Sequence, residues 1–519
     1  MSQAHTGHFA GLFAPSGGAG GRLPREAGEP EYFPDLLLDQ LVDAVVTERD
    51  PHDLKAAFRT RLTDVSAIKL RQAVFADLEN ANLLTAVRAF CAGLVQCGHQ
   101  WDVAARLRHR PQSQRWKLTA ISTYVQVVDA VTAAVEDAGP SSPGMRAWLE
   151  WLEDYRGSPD FTRMAAGVEA ALTELGSLRY TLSLSGDRIT ASPFAGQDDL
   201  GAATLATFDR FATGDVTPHR FDVRAGAEMN QMHEAVLDLV VQLFPDVFDR
   251  AARFLDEHAE VRHPVIDVVE RELRFVLSWL DFTAAARQAG LPFGLPDVEH
   301  GRKLEVRDTF DALLVHTLVA AGRKPVVNDV ALGDGEAVLV ITGPNQGGKT
   351  TFARTLGQLY HLAALGVPVP GSFAALHPPD AILTHFERGD RAGEMTSRLE
   401  EEVTRMSDLL AEAGSRSVVV LNEMFSSTTH VDAQAISRDV LHAVLDTGAV
   451  GVCVTFVDEL SRMDSRIVSL VAGVDERDAS SRTFRVTRGR ADGEAYALAL
   501  AAQHGLDRDR LRARIEARA

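Results

Sequence analysis

Residues 338–352 read VLVITGPNQGGKTTF and place glycines, a lysine and two threonines after a short apolar run. The segment fits the pattern G-x-x-x-x-G-K-[ST], preceded by residues typical of a strand and followed by residues typical of a helix. Glycines let backbone N–H groups surround phosphates, and the helix N-terminus adds positive potential. Lys349 can reach the β- and γ-phosphates, and the Thr350 hydroxyl can ligate Mg²⁺. The predicted nucleotide-binding residues are Gly343, Pro344, Asn345, Gln346, Gly347, Gly348, Lys349, Thr350 and Thr351.

A second polar group follows the apolar run of the segment SVVVLNEMFSSTT, residues 417–429. Glu423 is placed to polarise the water that attacks a bound nucleotide, so Glu423 and Lys349 are the predicted catalytic residues. Asn422 stands where an aspartate usually supports Mg²⁺. Its amide can hold a metal-bound water but brings no charge, and we assign the metal to Thr350 and Asn422. The alternative is a core strand that ends in a polar turn.

Composition sets limits on the class of protein. The 519 residues predict two or three domains, and 45% hydrophobic with 24% charged residues is an ordinary globular composition. The net charge of −19 means that a nucleic-acid surface would need a local basic patch. Cys91, Cys97 and Cys453 have no disulfide or metal spacing. We see no export signal and no apolar run of membrane-span length, so we predict a cytoplasmic protein without a membrane partner.

The elements that must position these residues change character along the chain. Residues 1–31 are rich in Gly and Pro and are predicted to be disordered. Residues 32–300 have mostly helical apolar spacing, interrupted near 178–194 by an alternating pattern with a Ser-Gly-Asp turn that predicts a β-hairpin. Residues 301–519 alternate strand-like and helix-like segments, which predicts an α/β nucleotide-binding domain.

Three segments, ITGPNQGGKTTF, LNEMFSSTTHVDA and SRTFRVTRGRADGEAYALALAAQHGL, resemble the ATPase domain of the MutS family of DNA mismatch repair proteins. Asn345 matches the family loop as well as Lys349 does. The resemblance is strong over 325–506 and weaker over 35–300. It implies a multidomain fold in which an α-helical core and lever, with a small β-hairpin insertion, precede an α/β P-loop ATPase domain of the ABC type.

The resemblance also implies a dimer that binds ATP and Mg²⁺ at composite sites. Ser397 falls at the signature position that faces the partner subunit's γ-phosphate, although the usual glycine and aromatic residue are absent and a plain amphipathic helix is the alternative. Asp432 falls on the D-loop aspartate, and the C-terminal helical pair on a dimer contact. Phe456 follows Thr455 where the family has a switch histidine. This departure and Asn422 could both slow turnover.

These features together predict an ATPase that binds DNA in the manner of MutS mismatch repair proteins. ATP binding would close a homodimer, and hydrolysis at Glu423 would reopen it. Three alternatives stay open: a different nucleic-acid ATPase of the ABC class, a binding module that uses ATP only as a clasp, or a regulatory scaffold that binds no DNA.

Two observations concern the DNA. Residues 105–118, ARLRHRPQSQRWKL, form a basic segment with one tryptophan that could contact phosphates, although a solvated helix face is the alternative. None of the 24 phenylalanines is followed two residues later by glutamate, so the family's Phe-x-Glu mismatch reader is not found. The thirty residues before Tyr32 are too few for a reader domain. We therefore expect salt-sensitive binding of duplex or branched DNA with little mismatch preference.

Overall fold

The computed structural model describes residues 9–17, 21–46, 50–186, 188–196, 231–387, 398–474, 482–490, 510 and 512. The chain forms two compact units. The first, here called the α/β unit, comprises Met1–Glu79, Ser141–Ala147 and Val268–Ala519. The second, the helical unit, comprises Asn80–Pro140 and Trp148–Asp267.

The helices are α1 (Phe33–Leu36), α2 (Leu38–Val45), α3 (Leu54–Arg59), α4 (Val65–Asp77), α5 (Ala81–Arg106), α6 (Arg110–Ala138), α7 (Pro143–Gly157), α8 (Pro159–Ser177), α9 (Gln231–Leu243), α10 (Pro245–Glu257), α11 (Pro264–Gln288), α12 (Leu314–Ala320), α13 (Lys349–Leu365), α14 (Arg398–Glu412) and α15 (His430–Thr447), with a 3₁₀ turn at Asp458–Arg462. The strands are β1 (Tyr180–Ser185), β2 (Arg188–Pro193), β3 (Phe293–Gly294), β4 (Asp297–Val298), β5 (Leu304–Thr309), β6 (Asn328–Ala331), β7 (Val338–Thr342), β8 (Val369–Pro370), β9 (Phe373–Leu376), β10 (Ile382–His385), β11 (Val418–Asn422), β12 (Val450–Val454), β13 (Ile467–Val474) and β14 (Arg482–Arg488).

The helical unit is built around α5 and α6, which pack against each other. Asn80 caps α5 because its side-chain oxygen accepts hydrogen bonds from the backbone N–H groups of Asn82 at 3.0 Å and Leu83 at 3.4 Å. Helix α6 ends at Gly139, whose φ of 56° suits glycine. A two-stranded antiparallel hairpin, β1 with β2, occupies the position where the sequence changes period.

Both α5 and α6 have the length and hydropathy of a membrane span, although no uninterrupted apolar run predicted this. In α5 the buried residues Val87, Phe90 and Leu94 recur at helical spacing, whereas Arg88 and His99 are exposed. A stripe of buried apolar residues beside a polar exposed face is the pattern of a helix that packs in a protein core.

The α/β unit contains a six-stranded sheet in the order β10-β11-β12-β7-β13-β14, in which only the β13–β14 pair is antiparallel. All residues of β7, β11 and β12 are buried, as expected for central parallel strands. Strand β12 lies between β7 and β11, with Val454 opposite both Ile341 and Asn422. The carboxyl ends of β7 and β11 therefore lie at the same edge of the sheet, separated by β12. The unit also contains a four-stranded sheet, β4-β9-β5-β6, and a two-stranded sheet, β3-β8.

The prediction that residues 1–31 are disordered is wrong for the described residues 9–17 and 21–31. Leu12 and Phe13 are fully buried, and the backbone N–H of Leu12 donates to the Glu272 carboxylate at 2.6 Å. The guanidinium of Arg71 lies over the Phe13 ring at 4.8 Å. The segment is ordered because its apolar residues are buried against α4 and α11, which are remote in sequence.

The compact units also divide the chain differently from the predicted boundary at residue 300. Residues 32–79 and 268–300 belong to the α/β unit. Long-range hydrogen bonds explain this: Gln358 Nε2 donates to the Leu36 carbonyl at 2.9 Å, and Trp279 Nε1 donates to the Pro368 carbonyl at 2.9 Å. The first helices and the second half of α11 thus pack around α13.

Candidate nucleotide-binding site

The loop between β7 and α13 has the backbone shape of a phosphate-binding loop. Gly343 has a φ of 115°, and a Cβ added there would lie 2.9 Å from the Ala472 carbonyl oxygen. Gln346 and Gly348 also have positive φ values, 60° and 86°. Helix α13 begins at Lys349 with no side-chain cap and no acidic residue in its first turn. Its first N–H groups are therefore available to an anion.

Lys349 is buried at the base of this loop. Its ammonium donates to the carbonyl oxygens of Gly343 at 2.9 Å and Pro344 at 3.0 Å. The same nitrogen lies 4.5 Å from the ring centroid of Phe456. Burial lowers the pKa of Lys349, and this shift is opposed by the negative charge of Glu423.

Thr350 and Asn422, the two residues predicted to hold Mg²⁺, lie in contact. The Thr350 hydroxyl donates to the Asn422 side-chain oxygen at 2.9 Å, which joins the start of α13 to the end of β11. Both side chains offer neutral oxygens, and oxygen is the donor that Mg²⁺ prefers. Because Mg²⁺ usually keeps several waters and binds substrate phosphates, this pair fits a metal shared with a nucleotide. Among the residues that the structure describes, no group of three or more His, Cys, Asp or Glu side chains forms an all-protein metal site.

Glu423 directly follows β11 in a left-handed conformation, with a φ of 53°. Its backbone N–H donates to the Val454 carbonyl at 2.9 Å, so the position of the residue is set by the neighbouring strand. Partial burial raises the pKa of the Glu423 carboxyl, Lys349 opposes the shift, and Glu387 adds to it. A carboxylate with a raised pKa is better suited to accept a proton near neutral pH.

Lys349, Thr350 and Glu423 line one cavity of about 550 Å³, and Asn422 contacts its wall through Thr350. Its polar wall contains Glu423 and the loop residues Asn345 to Thr351. Its apolar wall is formed by side chains from three other segments: Phe310, Leu314, Leu318, Val326 and Phe484. One end of the cavity can therefore receive phosphates and the other an apolar ring.

Phe484 is the member of the apolar wall that sequence reasoning missed most clearly. It has a φ of 56° and is about half exposed, and its ring lies beside Gly348. Asn328 holds this backbone, since its side-chain nitrogen donates to the Phe484 carbonyl at 3.2 Å and its oxygen accepts from the Val486 N–H at 2.7 Å. Asn328 lies 156 residues before Phe484, so no local sequence pattern connects the two residues.

The remaining predicted site residues lie elsewhere. Ser397 lies outside the described residues. Asp432 is in the first turn of α15, where its carboxylate accepts from the Thr429 hydroxyl at 2.8 Å and its N–H donates to that hydroxyl at 3.3 Å. Asp432 does not line the cavity described above.

The basic segment 105–118 comprises the end of α5, the turn at residues 107–109 and the first part of α6, in the helical unit. Four arginines of this segment are exposed: Arg106, Arg108, Arg110 and Arg115. The nearby acidic side chain of Asp238 contacts His109 Nε2 at 3.0 Å. We refer to these four residues as the arginine turn.

Comparison with known proteins shows what the region around this site is similar to. MutS domain V matches residues 339–513. The chain is 27% identical over 362 residues to the DNA mismatch repair protein MutS 2 of Halobacterium salinarum, covering 68% of this chain and 37% of that protein. It is 27% identical over 355 residues to the Endonuclease MutS2 of Thermomicrobium roseum, covering 66% and 42%. It is 32% identical over 176 residues to the DNA mismatch repair protein MSH3 of Phaeosphaeria nodorum, covering 31% and 16%.

The chain thus spans about two fifths of the length of the first of these relatives. The domain V match begins inside β7 and contains both Thr350 and Asn422, whose contact joins α13 to β11. The resemblance predicted from the loop and from the segment around β11 is confirmed: residues 339–513 match MutS domain V, and the chain is similar to proteins named MutS and MutS2.

Proposed function

We propose that this protein is an ATPase of the MutS type, in which ATP binding and hydrolysis beside Lys349 control the engagement of DNA. One observation carries the proposal. The hydrogen bond between Thr350 and Asn422 joins the start of α13, just after the phosphate-binding loop, to the end of β11, so that Lys349 and Glu423 line the same cavity. This is the arrangement that nucleotide hydrolysis requires: cation, metal ligands and base within one site.

Each residue has a role in this mechanism. The loop N–H groups and Lys349 would hold the β- and γ-phosphates, while the Thr350 hydroxyl would ligate Mg²⁺ and Asn422 would hold a water bound to it. When bound, the metal would neutralise charge on the phosphates. Glu423 would take a proton from the attacking water. Phe484 offers an aromatic face on which the adenine ring of ATP could stack.

We further propose that the site is completed in an ABC-type dimer, with Ser397 of one copy facing the nucleotide of the other. The position of two exposed apolar side chains supports this proposal. Val431, beside Asp432 at the start of α15, is 74% exposed, and Val403 of α14 is 42% exposed. A contact with a second copy at the start of α15 would remove Val431 from water.

The arginine turn is the surface that we propose for DNA. Four exposed arginines without an acidic residue in the same segment give a local positive field on a protein whose net charge is −19. Arginine pairs well with phosphate, and such contacts release counterions, so DNA binding should weaken steeply as salt is added.

Nucleotide titrations test the first part of the proposal. Lys349→Ala should lower ATP affinity more than tenfold, since it removes the ammonium at the base of the loop. Lys303→Ala is the matched control, because Lys303 lies in the same unit and pairs with Asp297 but does not line the cavity. Equal ATP affinity in both variants would exclude this cavity as the nucleotide site.

DNA titrations at two salt concentrations test the second part. Replacing Arg108 and Arg110 by Gln should weaken binding to matched, G·T-mismatched and four-way-junction DNA alike. It should also reduce the salt dependence by about one unit of slope per lost phosphate contact. Lys55→Gln, at a lysine that pairs with Asp43 in the α/β unit, is the control. An unchanged salt slope in the arginine variant would place the DNA contact elsewhere.

A second candidate function is favoured by Asn422 and Phe456, which bring no charge to the metal and γ-phosphate positions. In this case ATP acts as a clasp that is bound but scarcely hydrolysed. Steady-state turnover with and without DNA separates the two functions: an ATPase that DNA changes supports the first, and tight ATP binding without turnover supports the second. For both functions we propose a cytoplasmic protein.

A further inference from the structure

The ring of Phe456 lies against the Lys349 ammonium but has no role in the mechanism above. Phe456 follows β12, which lies in the sheet between β7, the strand before the phosphate-binding loop, and β11, the strand before Glu423. The Thr455 N–H donates to the Ile341 carbonyl at 3.1 Å, and the Val457 N–H donates to the Thr455 hydroxyl at 3.0 Å. The backbone is thus fixed on both sides, and the half-exposed ring of Phe456 is held over the loop by the sheet.

The ring covers an ammonium that is already engaged. Two of the three N–H donors of Lys349 are matched by the carbonyl oxygens of Gly343 and Pro344. The aromatic face of Phe456 lies 4.5 Å from the same nitrogen, well within the range of a cation–π contact. To reach a phosphate, Lys349 must exchange these partners for phosphate oxygens.

We propose that Phe456 is a positioning residue that stabilises Lys349 in this retracted arrangement, and so weakens the binding of nucleotides whose β- and γ-phosphates need Lys349. The proposal rests on the proposed function of the cavity. A phenyl ring has no hydrogen-bond donor to offer a phosphate in return, and its negative face is unfavourable to phosphate oxygens. The contact therefore stabilises the ligand-free site more than the occupied one.

The test is a series of substitutions at this position in the full chain. Phe456→Leu keeps an apolar side chain of similar size but removes the π face, and Phe456→Trp strengthens the cation–π contact. Calorimetric titrations should show that Leu tightens ATP and ADP binding by about three- to tenfold and that Trp weakens it. AMP affinity should be the same in all forms, because Lys349 reaches only the β- and γ-phosphates.

Phe373→Leu is the matched control. Phe373 is also partly exposed, and its ring lies 5.1 Å from the Arg307 guanidinium, but it is on β9 and the cation that it contacts is not Lys349. It should leave the affinity for all three nucleotides unchanged. Phe456→Met serves as a second flexible apolar replacement if Phe456→Leu is poorly folded by thermal melting.

Three results would overturn the inference: unchanged ATP affinity in Phe456→Leu, weaker ATP affinity in that variant, or an equal gain for AMP. Its failure can be distinguished from failure of the proposed function. If the wild type binds ATP and Lys349→Ala loses it, the site stands and only the role of Phe456 is excluded. If the wild type binds no nucleotide, the proposed function fails as well.

Discussion

Glu272 of α11 should make the anchoring of the N-terminal segment depend on pH. Its carboxylate is buried, accepts the N–H groups of Leu12 and Phe13, and faces the guanidinium groups of Arg71 and Arg271. Burial raises its pKa from 4.5 to about 7, because hydrogen bonds and arginine charges offset only part of the lost hydration. Both arginines keep their charge between pH 5 and 8, so Glu272 is the member of this group that titrates there.

The sign and size of the effect follow from the two pKa values. Between pH 4.5 and 7 the folded protein binds more protons at Glu272 than the opened chain does, so stability falls as pH rises. Going from pH 5 to pH 8, this one group should lower the free energy of opening by about 2–3 kcal/mol. Glu272→Gln cannot ionise, and it should remove this pH-dependent part whatever its constant effect on stability.

Hydrogen–deuterium exchange of the amides of Leu12 and Phe13 is the assay, because both report opening of the segment itself. Wild type and Glu272→Gln are compared at each pH, which cancels the intrinsic pH dependence of exchange. Glu299→Gln, at an exposed carboxylate that pairs with Lys303, is the control. If the difference in opening free energy between wild type and Glu272→Gln stays constant from pH 5 to 8, Glu272 does not titrate as its burial predicts.

Three further predictions concern the loop, the base and the anchoring arginine. Gly343→Ala places a Cβ 2.9 Å from the Ala472 carbonyl oxygen at a φ of 115°, so it should cost about 1–3 kcal/mol of stability and weaken ATP binding, measured by melting and titration. Glu423→Gln should still bind ATP but lose turnover, and wild-type-like hydrolysis in this variant would show that another group is the general base. In the wild type, turnover should fall on the acid side at a pH above the ordinary glutamate pKa of 4.5, because burial raises the pKa of Glu423 and only the ionised carboxylate accepts a proton. Arg271→Met should destabilise the α/β unit by about 3 kcal/mol in denaturant unfolding, because the guanidinium donates to four backbone carbonyls, among them that of Leu23 at 2.7 Å. An unchanged unfolding midpoint would mean that these hydrogen bonds make no net contribution to the free energy of unfolding.

The α/β part of the chain was predictable where chemistry and backbone shape are encoded in adjacent residues. A loop of glycines before Lys349 specifies positive φ values and close approach, and an apolar strand that ends in Asn422 and Glu423 predicts a buried strand with polar residues at its carboxyl end. The resemblance to the MutS family followed from the same segments, because their residue identities and not only their periodicity are distinctive. Helical spacing likewise predicted the long helices, although their boundaries needed the caps seen in the structure.

What only the tertiary structure decided are contacts between residues far apart in the sequence. Phe456 reaches Lys349 because β12 happens to pair beside β7, and a strand order cannot be read from periodicity. Leu12 and Phe13 look like part of a disordered tail, since Gly and Pro around them predict no regular element. They are ordered because α11 places Glu272 where it accepts the Leu12 backbone N–H, and α4 places Arg71 over the Phe13 ring. Local propensity determines which elements form, whereas burial against distant residues determines which irregular segments are held.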